Sequence, residues 1–156
     1  MERTAWMEEA VRLAAANVES GQGGPFGAVV VKDGHIVARG VNRVTATNDP
    51  TAHAEVQAIR EACRVLGTFQ LTDCELYSSC EPCPMCIGAI YWARPKAVFF
   101  AGTKEEAAAS GFDDQFIYEE LEKPYAVRRL KMERLAPDGY QAPFDAWKAA
   151  ARKIEY

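Results

Sequence analysis

Trp6, Ala10 and Leu13 recur at helical spacing with Asn17 on the same stripe, and the stripe stops at Ser20-Gly21. This predicts an opening amphipathic helix. The GGPFG run from Gly23 to Gly27 breaks it. Ala28 to Val31 and His35 to Val41 are β-branched runs joined by Lys32-Asp33-Gly34, and Asp-Gly between apolar runs predicts a hairpin. Asp49-Pro50 reads as an N-cap followed by proline at the first helical position. It opens a helix to about Leu66 that Gly67 closes, with Val56, Ile59 and Cys63 as the apolar face. Cys74 to Ser79 predicts a short strand, Cys83 to Trp92 a helix behind Pro82, and Lys96 to Ala101 a buried strand rich in Val and Phe. Helix and strand in alternation is the pattern of a parallel sheet. Lys104 to Leu121 is expected to be helical in pieces, interrupted at Ser110-Gly111, and Val127 to Leu135 to form a fifth strand. A last amphipathic helix over about 143–156 places Phe144, Trp147, Ala151 and Ile154 on one face. No repeat or linker-like shift in composition divides the 156 residues, so residues 1–156 are expected to form one domain.

Composition narrows the class. With 49% hydrophobic and 26% charged residues, the chain has enough apolar content for a packed core and too little for a membrane bundle. No segment approaches the ~18 consecutive apolar residues of a spanning helix. Met1 to Ala10 carries three acids and one arginine, which is not the pattern of a secretory signal. Five cysteines, an odd number, then fit metal binding or catalysis better than a disulfide framework, and a cytoplasmic setting is expected. The net charge of -4 argues against binding along a nucleic-acid backbone. Arg128, Arg129, Lys131 and Arg134 cluster, but Glu122 and Glu133 dilute them, so they read as a solvated face.

The chemistry is concentrated in Thr51-Ala52-His53-Ala54-Glu55 and Cys80-Glu81-Pro82-Cys83-Pro84-Met85-Cys86. One imidazole and two thiolates suit Zn2+, and three protein ligands leave the fourth tetrahedral position open for catalysis. At ~100° per residue His53 and Glu55 point ~200° apart on a continuous helix, so both reach one centre only at the helix's N-terminal end. Cys83 and Cys86 lie one turn apart, and Pro82 and Pro84 place them in the first turn of their own helix. Two helix N-termini are therefore expected to converge, where unpaired N–H groups and the dipole favour thiolates. Glu55 is the natural proton carrier for a water activated by the metal.

HxE paired with PCxxC is the zinc-deaminase signature. On these residues the sequence resembles the cytidine-deaminase-like zinc hydrolases, and within them it is similar to bacterial guanine deaminases of the short type. The resemblance extends over GGPFGAVVVKDG (Gly23 to Gly34), NDPTAHAEVQAIR (Asn48 to Arg60), SCEPCPMCIGAIYWARPKAVFFA (Ser79 to Ala101) and SGFDDQFIY (Ser110 to Tyr118). It implies a three-layer α/β/α sandwich with a five-stranded mixed sheet, a homodimer, and hydrolysis of guanine to xanthine and ammonia. It also implies that His53, Cys83 and Cys86 hold zinc and that Glu55 carries the proton to the purine ring. Asp114 would be a second proton carrier toward the departing ammonia. Asn42 would hydrogen-bond the purine, Phe26 would line the pocket, and Tyr156 would close the site of a neighbouring subunit at the end of an exchanged C-terminal helix.

Plainer readings stand beside these. Asn42 suits a turn, Asp113 and Asp114 suit a cap and a solvated acid, and Phe26, Trp92, Phe99 and Phe100 suit a core. His35 is expected at the surface and Cys63 in the core. Cys80 could supply a fourth sulfur and close a Cys3His site, which would make the chain a zinc-stabilised module without catalysis. Within the enzymes, the alternative is a tRNA adenosine deaminase, which shares both motifs but needs a basic surface for RNA.

Overall fold

The computed structural model describes residues 2–156, and these form two compact units, one reaching to Asp114 and one running from Gln115 to Tyr156. The first unit contains α1 (Glu2–Glu19), the hairpin β1 (Gly27–Lys32) and β2 (His35–Val41), and the one-turn helix α2 (Val44–Thr47). It continues through α3 (Ala54–Leu66), β3 (Cys74–Cys80), α4 (Pro84–Ala93), β4 (Ala97–Gly102) and α5 (Lys104–Ala109).

The hairpin closes through a two-residue turn in which Asp33 and Gly34 both adopt positive φ, as a turn matched to strand twist requires. The sheet order is β2-β1-β3-β4. β1 pairs antiparallel with β2 and β3, and β3 pairs parallel with β4 across the α4 crossover, so the sheet is mixed. Alternation along the strands separates two cores. Ala28, Val30, Ala38, Leu76 and Cys74 face α3 and α4, where they meet Ala54, Ala58, Ala62 and Ile90. Val29, Val31 and Tyr77 face α1 and pack on Trp6 and Leu13. The layers are α1, sheet, and α3 with α4.

Two glycines let the helices approach. A Cβ at Gly27 would lie 2.4 Å from the Ala10 carbonyl oxygen of α1, and one at Gly40 would lie 2.3 Å from the Ala54 carbonyl oxygen and 2.4 Å from the Ala58 amide of α3. The opposing atoms at Gly40 are backbone and cannot rotate away. Gly40→Ala is therefore expected to destabilise the protein by about 1–3 kcal/mol, the usual range for overpacking. Urea unfolding checks this, and an unchanged midpoint would show that α3 has room to shift.

Several expectations are corrected. The sheet has four strands among the described residues, not five. Val127–Leu135 lies in the second unit, which contains α6 (Gln115–Glu122), a 3-10 turn at Tyr125–Val127 and α7 (Ala142–Ala149), but no strand with which to form a ladder. Arg128 is instead committed to the end of α6, donating to the carbonyls of Lys123 and Leu121. The last helix covers Ala142–Ala149 and not 143–156. Ala150 turns extended, and the Lys153 ammonium takes up the Trp147 and Lys148 carbonyls that the next turn would have used.

The helix expected from Asp49-Pro50 begins only at Ala54. Asp49 Oδ1 accepts from both the amide and the hydroxyl of Thr51, which spends the residue on a local turn. The deepest face of α3 is Ala54, Ala58 and Ala62. Val56, Ile59 and Cys63 are only partly buried, because the strand backbone at Gly40 leaves room for methyl groups alone. Phe99 packs in the core against Tyr77, whereas Trp92 and Phe100 are exposed. His35 is exposed, as expected.

Candidate metal centre and active site

His53 is the N-cap of α3 and Cys83 the N-cap of α4, each with extended backbone, while Cys86 sits in the first turn of α4 behind Pro84. Neither cap side chain bonds its own helix, so both remain available to a ligand. His53 Nδ1 lies 3.5 Å from Cys83 Sγ and 3.4 Å from Cys86 Sγ. All three donor atoms fall within 4.8 Å of one another. A tetrahedral zinc with bonds of about 2.0–2.1 Å to nitrogen and 2.3 Å to sulfur places such atoms about 3.5 Å apart, so the donor set fits this ion in both chemistry and spacing. Cys80, the possible fourth sulfur, is buried, and its Sγ points at the Thr103 carbonyl oxygen at 3.8 Å. It is not part of the cluster. Cys63 is partly buried against the main core, in keeping with the expectation.

The electrostatics follow the helix ends. Cys86 donates its S–H to Cys83, and with His53 this holds the Cys83 thiol down at about 4. The same bond pushes the Cys86 thiol up, with burial and the nearby Glu55 acting in the same direction. His53 is raised, chiefly by its contact with Cys83, against the opposing effect of burial. Both sulfurs bind a metal as thiolates, so metal uptake releases whatever protons they carry.

Glu55 is the second residue of α3 and is 5% exposed. The Ser78 hydroxyl donates to Glu55 Oε1 at 2.6 Å and lies 2.7 Å from the Cys80 carbonyl oxygen. Ser78 was not singled out in the sequence. The signal for it was present, since strand alternation puts a serine on the inward face with Cys74, Leu76 and Cys80.

Asp114 closes the first unit and is partly buried. Desolvation raises its carboxyl above the ordinary value, and the negative charge of Cys83 adds to the effect, which places Asp114 within electrostatic reach of the cluster. The Asn42 amide donates to the Phe26 carbonyl at 3.2 Å, so these two residues are tied together where the hairpin opens toward α3. The Phe26 ring packs edge-on against Phe112 at 5.0 Å between centroids. Glu81 Oε1 accepts from the Lys104 amide at 3.3 Å and links the cysteine loop to the start of α5. Tyr156 belongs to the second unit and is exposed.

Residues 1–102 match the family described as the cytidine and deoxycytidylate deaminase zinc-binding region. The chain belongs to this family. Over its whole length it is 57% identical to guanine deaminase of Bacillus subtilis, with 100% of both chains covered. The X-ray structure of guanine deaminase from Bacillus subtilis superposes with a TM-score of 0.96, covering 98% of each chain. A tRNA-specific adenosine deaminase of Aquifex aeolicus is 39% identical over 129 residues, covering 82% of each. The α/β architecture with a mixed sheet is accordingly the cytidine-deaminase-like fold. Zinc is the cofactor that the family and the His/Cys/Cys group specify together.

Proposed function

We propose that this chain is a zinc-dependent guanine deaminase that hydrolyses guanine to xanthine and ammonia. The observation that supports this most strongly is the full-length identity with the Bacillus subtilis enzyme, combined with a His/Cys/Cys group beside a buried carboxylate. His53, Cys83 and Cys86 would hold the zinc, which when bound supplies a Lewis acid that activates water. Glu55 accepts a proton at its carboxylate and delivers it to the ring nitrogen, while Ser78 keeps the carboxyl oriented. Asp114 carries a proton toward the departing ammonia. Asn42 hydrogen-bonds the edge of the base and Phe26 covers one side of it. Water and guanine enter, and xanthine and ammonia leave, with no net change in the protein.

Residues 1–156 act as one catalytic domain in this reading, and the working unit is a homodimer in the cytoplasm. Among the described residues, no helix is long and apolar enough to cross a membrane. The C-terminal segment, with α7 and Tyr156, is exchanged between subunits, and Tyr156 closes the neighbour's site. Support comes from α7, which exposes Phe144 and Trp147, and from Ile154 and Tyr156 beyond it, which are both 72% exposed. Faces of this kind are usually covered by a partner. Removing Tyr156 is expected to lower kcat/KM about tenfold, the equivalent of one good contact, with no change in melting temperature. An unchanged rate would reduce the tyrosine to a passive terminus.

Substrate choice is tested by ammonia release from guanine, adenine, cytosine, cytidine and a tRNA anticodon stem, assayed in parallel with zinc-loaded protein. Release from guanine supports the reading. Release from the RNA alone, with steep salt dependence, would replace it with tRNA adenosine deamination.

A further inference from the structure

Asn17 lies near the C-terminal end of α1, an element that carries none of the residues assigned to the reaction, and it is 4% exposed. Its Nδ2 donates to the carbonyl oxygens of Gly24 at 2.8 Å and Asn42 at 2.9 Å. A carboxamide nitrogen has two hydrogens, so one group serves both carbonyls. The Asn17 carbonyl in turn accepts from the Gln22 amide and from the Ser20 hydroxyl. The helix end, the Gly-Pro-Phe loop and the end of β2 are therefore held at one point.

Gly23 shows how tight this point is. A Cβ there would lie 2.3 Å from the Asn42 carbonyl oxygen and 2.9 Å from Asn17 Nδ2. The two segments joined by Asn17 are the ones that carry Phe26 and Asn42. A Cβ at Gly24 would meet the Phe26 ring at 3.4 Å and Asn42 Cγ at 3.7 Å, so ring and carboxamide face a common space above Gly24. Asn42 Oδ1 accepts from the Val44 amide, which fixes the orientation of its carboxamide.

From this geometry we infer that Asn17 is a positioning residue that sets the distance between the Phe26 ring and the Asn42 carboxamide, and through them the fit of the purine base. The inference rests on the reading of Phe26 and Asn42 as substrate-binding residues. It separates binding from chemistry, because Asn17 touches neither the zinc group nor Glu55. Loss of its donors strips the Asn42 carbonyl of its bond to α1 and leaves the Gly24 carbonyl with the Phe26 amide alone, at 2.9 Å, which loosens one wall of the base site.

The test compares Asn17→Ser, which keeps one donor, with Asn17→Asp, which has none and sets a carboxylate against two carbonyl oxygens. The expected result is a KM for guanine raised severalfold in the serine variant and about tenfold or more in the aspartate variant, with kcat within about twofold and zinc content unchanged. Should Asn17→Asp not accumulate as folded protein, Asn17→Ser carries the test alone. A folded variant with wild-type KM, or one losing kcat and zinc in parallel, overturns the inference while leaving the deaminase reading in place. A wild-type protein inert toward guanine overturns that reading and this inference with it.

Discussion

Glu55→Gln is expected to keep its zinc and its fold and to lose at least about 10²-fold in kcat, the contribution typical of general acid–base catalysis. Glutamine has the same shape and still offers an Oε1 acceptor to the Ser78 hydroxyl, so the buried hydrogen bond at 2.6 Å can persist. What it cannot do is take up a proton and release it to the ring. The side chain is enclosed between α3 and the inward face of β3, so bulk water has little access to take over the transfer. The variant should bind guanine with little change in KM, since the loss falls on the transition state. Metal analysis and steady-state kinetics on one preparation check both halves. Near-normal turnover with zinc present would assign the proton to another group, and Asp114 would be the first candidate.

Cys86→Ser should have a different signature, losing metal and activity together. Cys86 is completely buried in the first turn of α4, and its Sγ faces His53 Nδ1 at 3.4 Å. A serine oxygen there is a shorter, harder ligand and does not ionise to serve a borderline-soft ion. Zinc affinity is expected to fall by more than about 10²-fold, exceeding the losses seen when only a supporting residue is changed. Cys80→Ser is the matched control. It alters a buried thiol at the end of β3, one that faces the Thr103 carbonyl, so zinc content should stay at the wild-type level. Loss of zinc in Cys80→Ser would revive a closed four-ligand site and with it a structural module.

How far the sequence could be read depended on whether the determining contact was local. The Asp33-Gly34 turn, the closure of α3 at Gly67 and the break at Ser110-Gly111 are each decided by a few adjacent residues, and the structure has all three. The convergence of two helix ends followed from the angular relation of His53 to Glu55 and from Pro84. The structure sharpened it by making both His53 and Cys83 caps. The start of α3 was misjudged because Asp49-Pro50 is as suited to a turn as to a cap, and the competing bonds from Thr51 are visible only in three dimensions. The alanine face of α3 has the same origin, since Gly40 on another strand, not the helix's own periodicity, decides what fits beneath it. Val127 to Leu135 intersperses apolar and charged residues, yet a strand exists only where another offers a ladder, and its own unit has none. Ser78 and Asn17 were hidden for a related reason. Each is a polar residue at an inward position, and the partner that gives it its role lies 23 or more residues away, Glu55 for Ser78 and Asn42 for Asn17.

The central claim is that this chain deaminates guanine with one zinc held by His53, Cys83 and Cys86. It is tested most directly by stripping the metal, adding zinc back in steps and following xanthine formation from guanine at each step. The account predicts no turnover without metal and activity that rises linearly to a plateau at one zinc per chain. Full turnover in the stripped protein, or zinc uptake to one per chain with no xanthine formed, would contradict it.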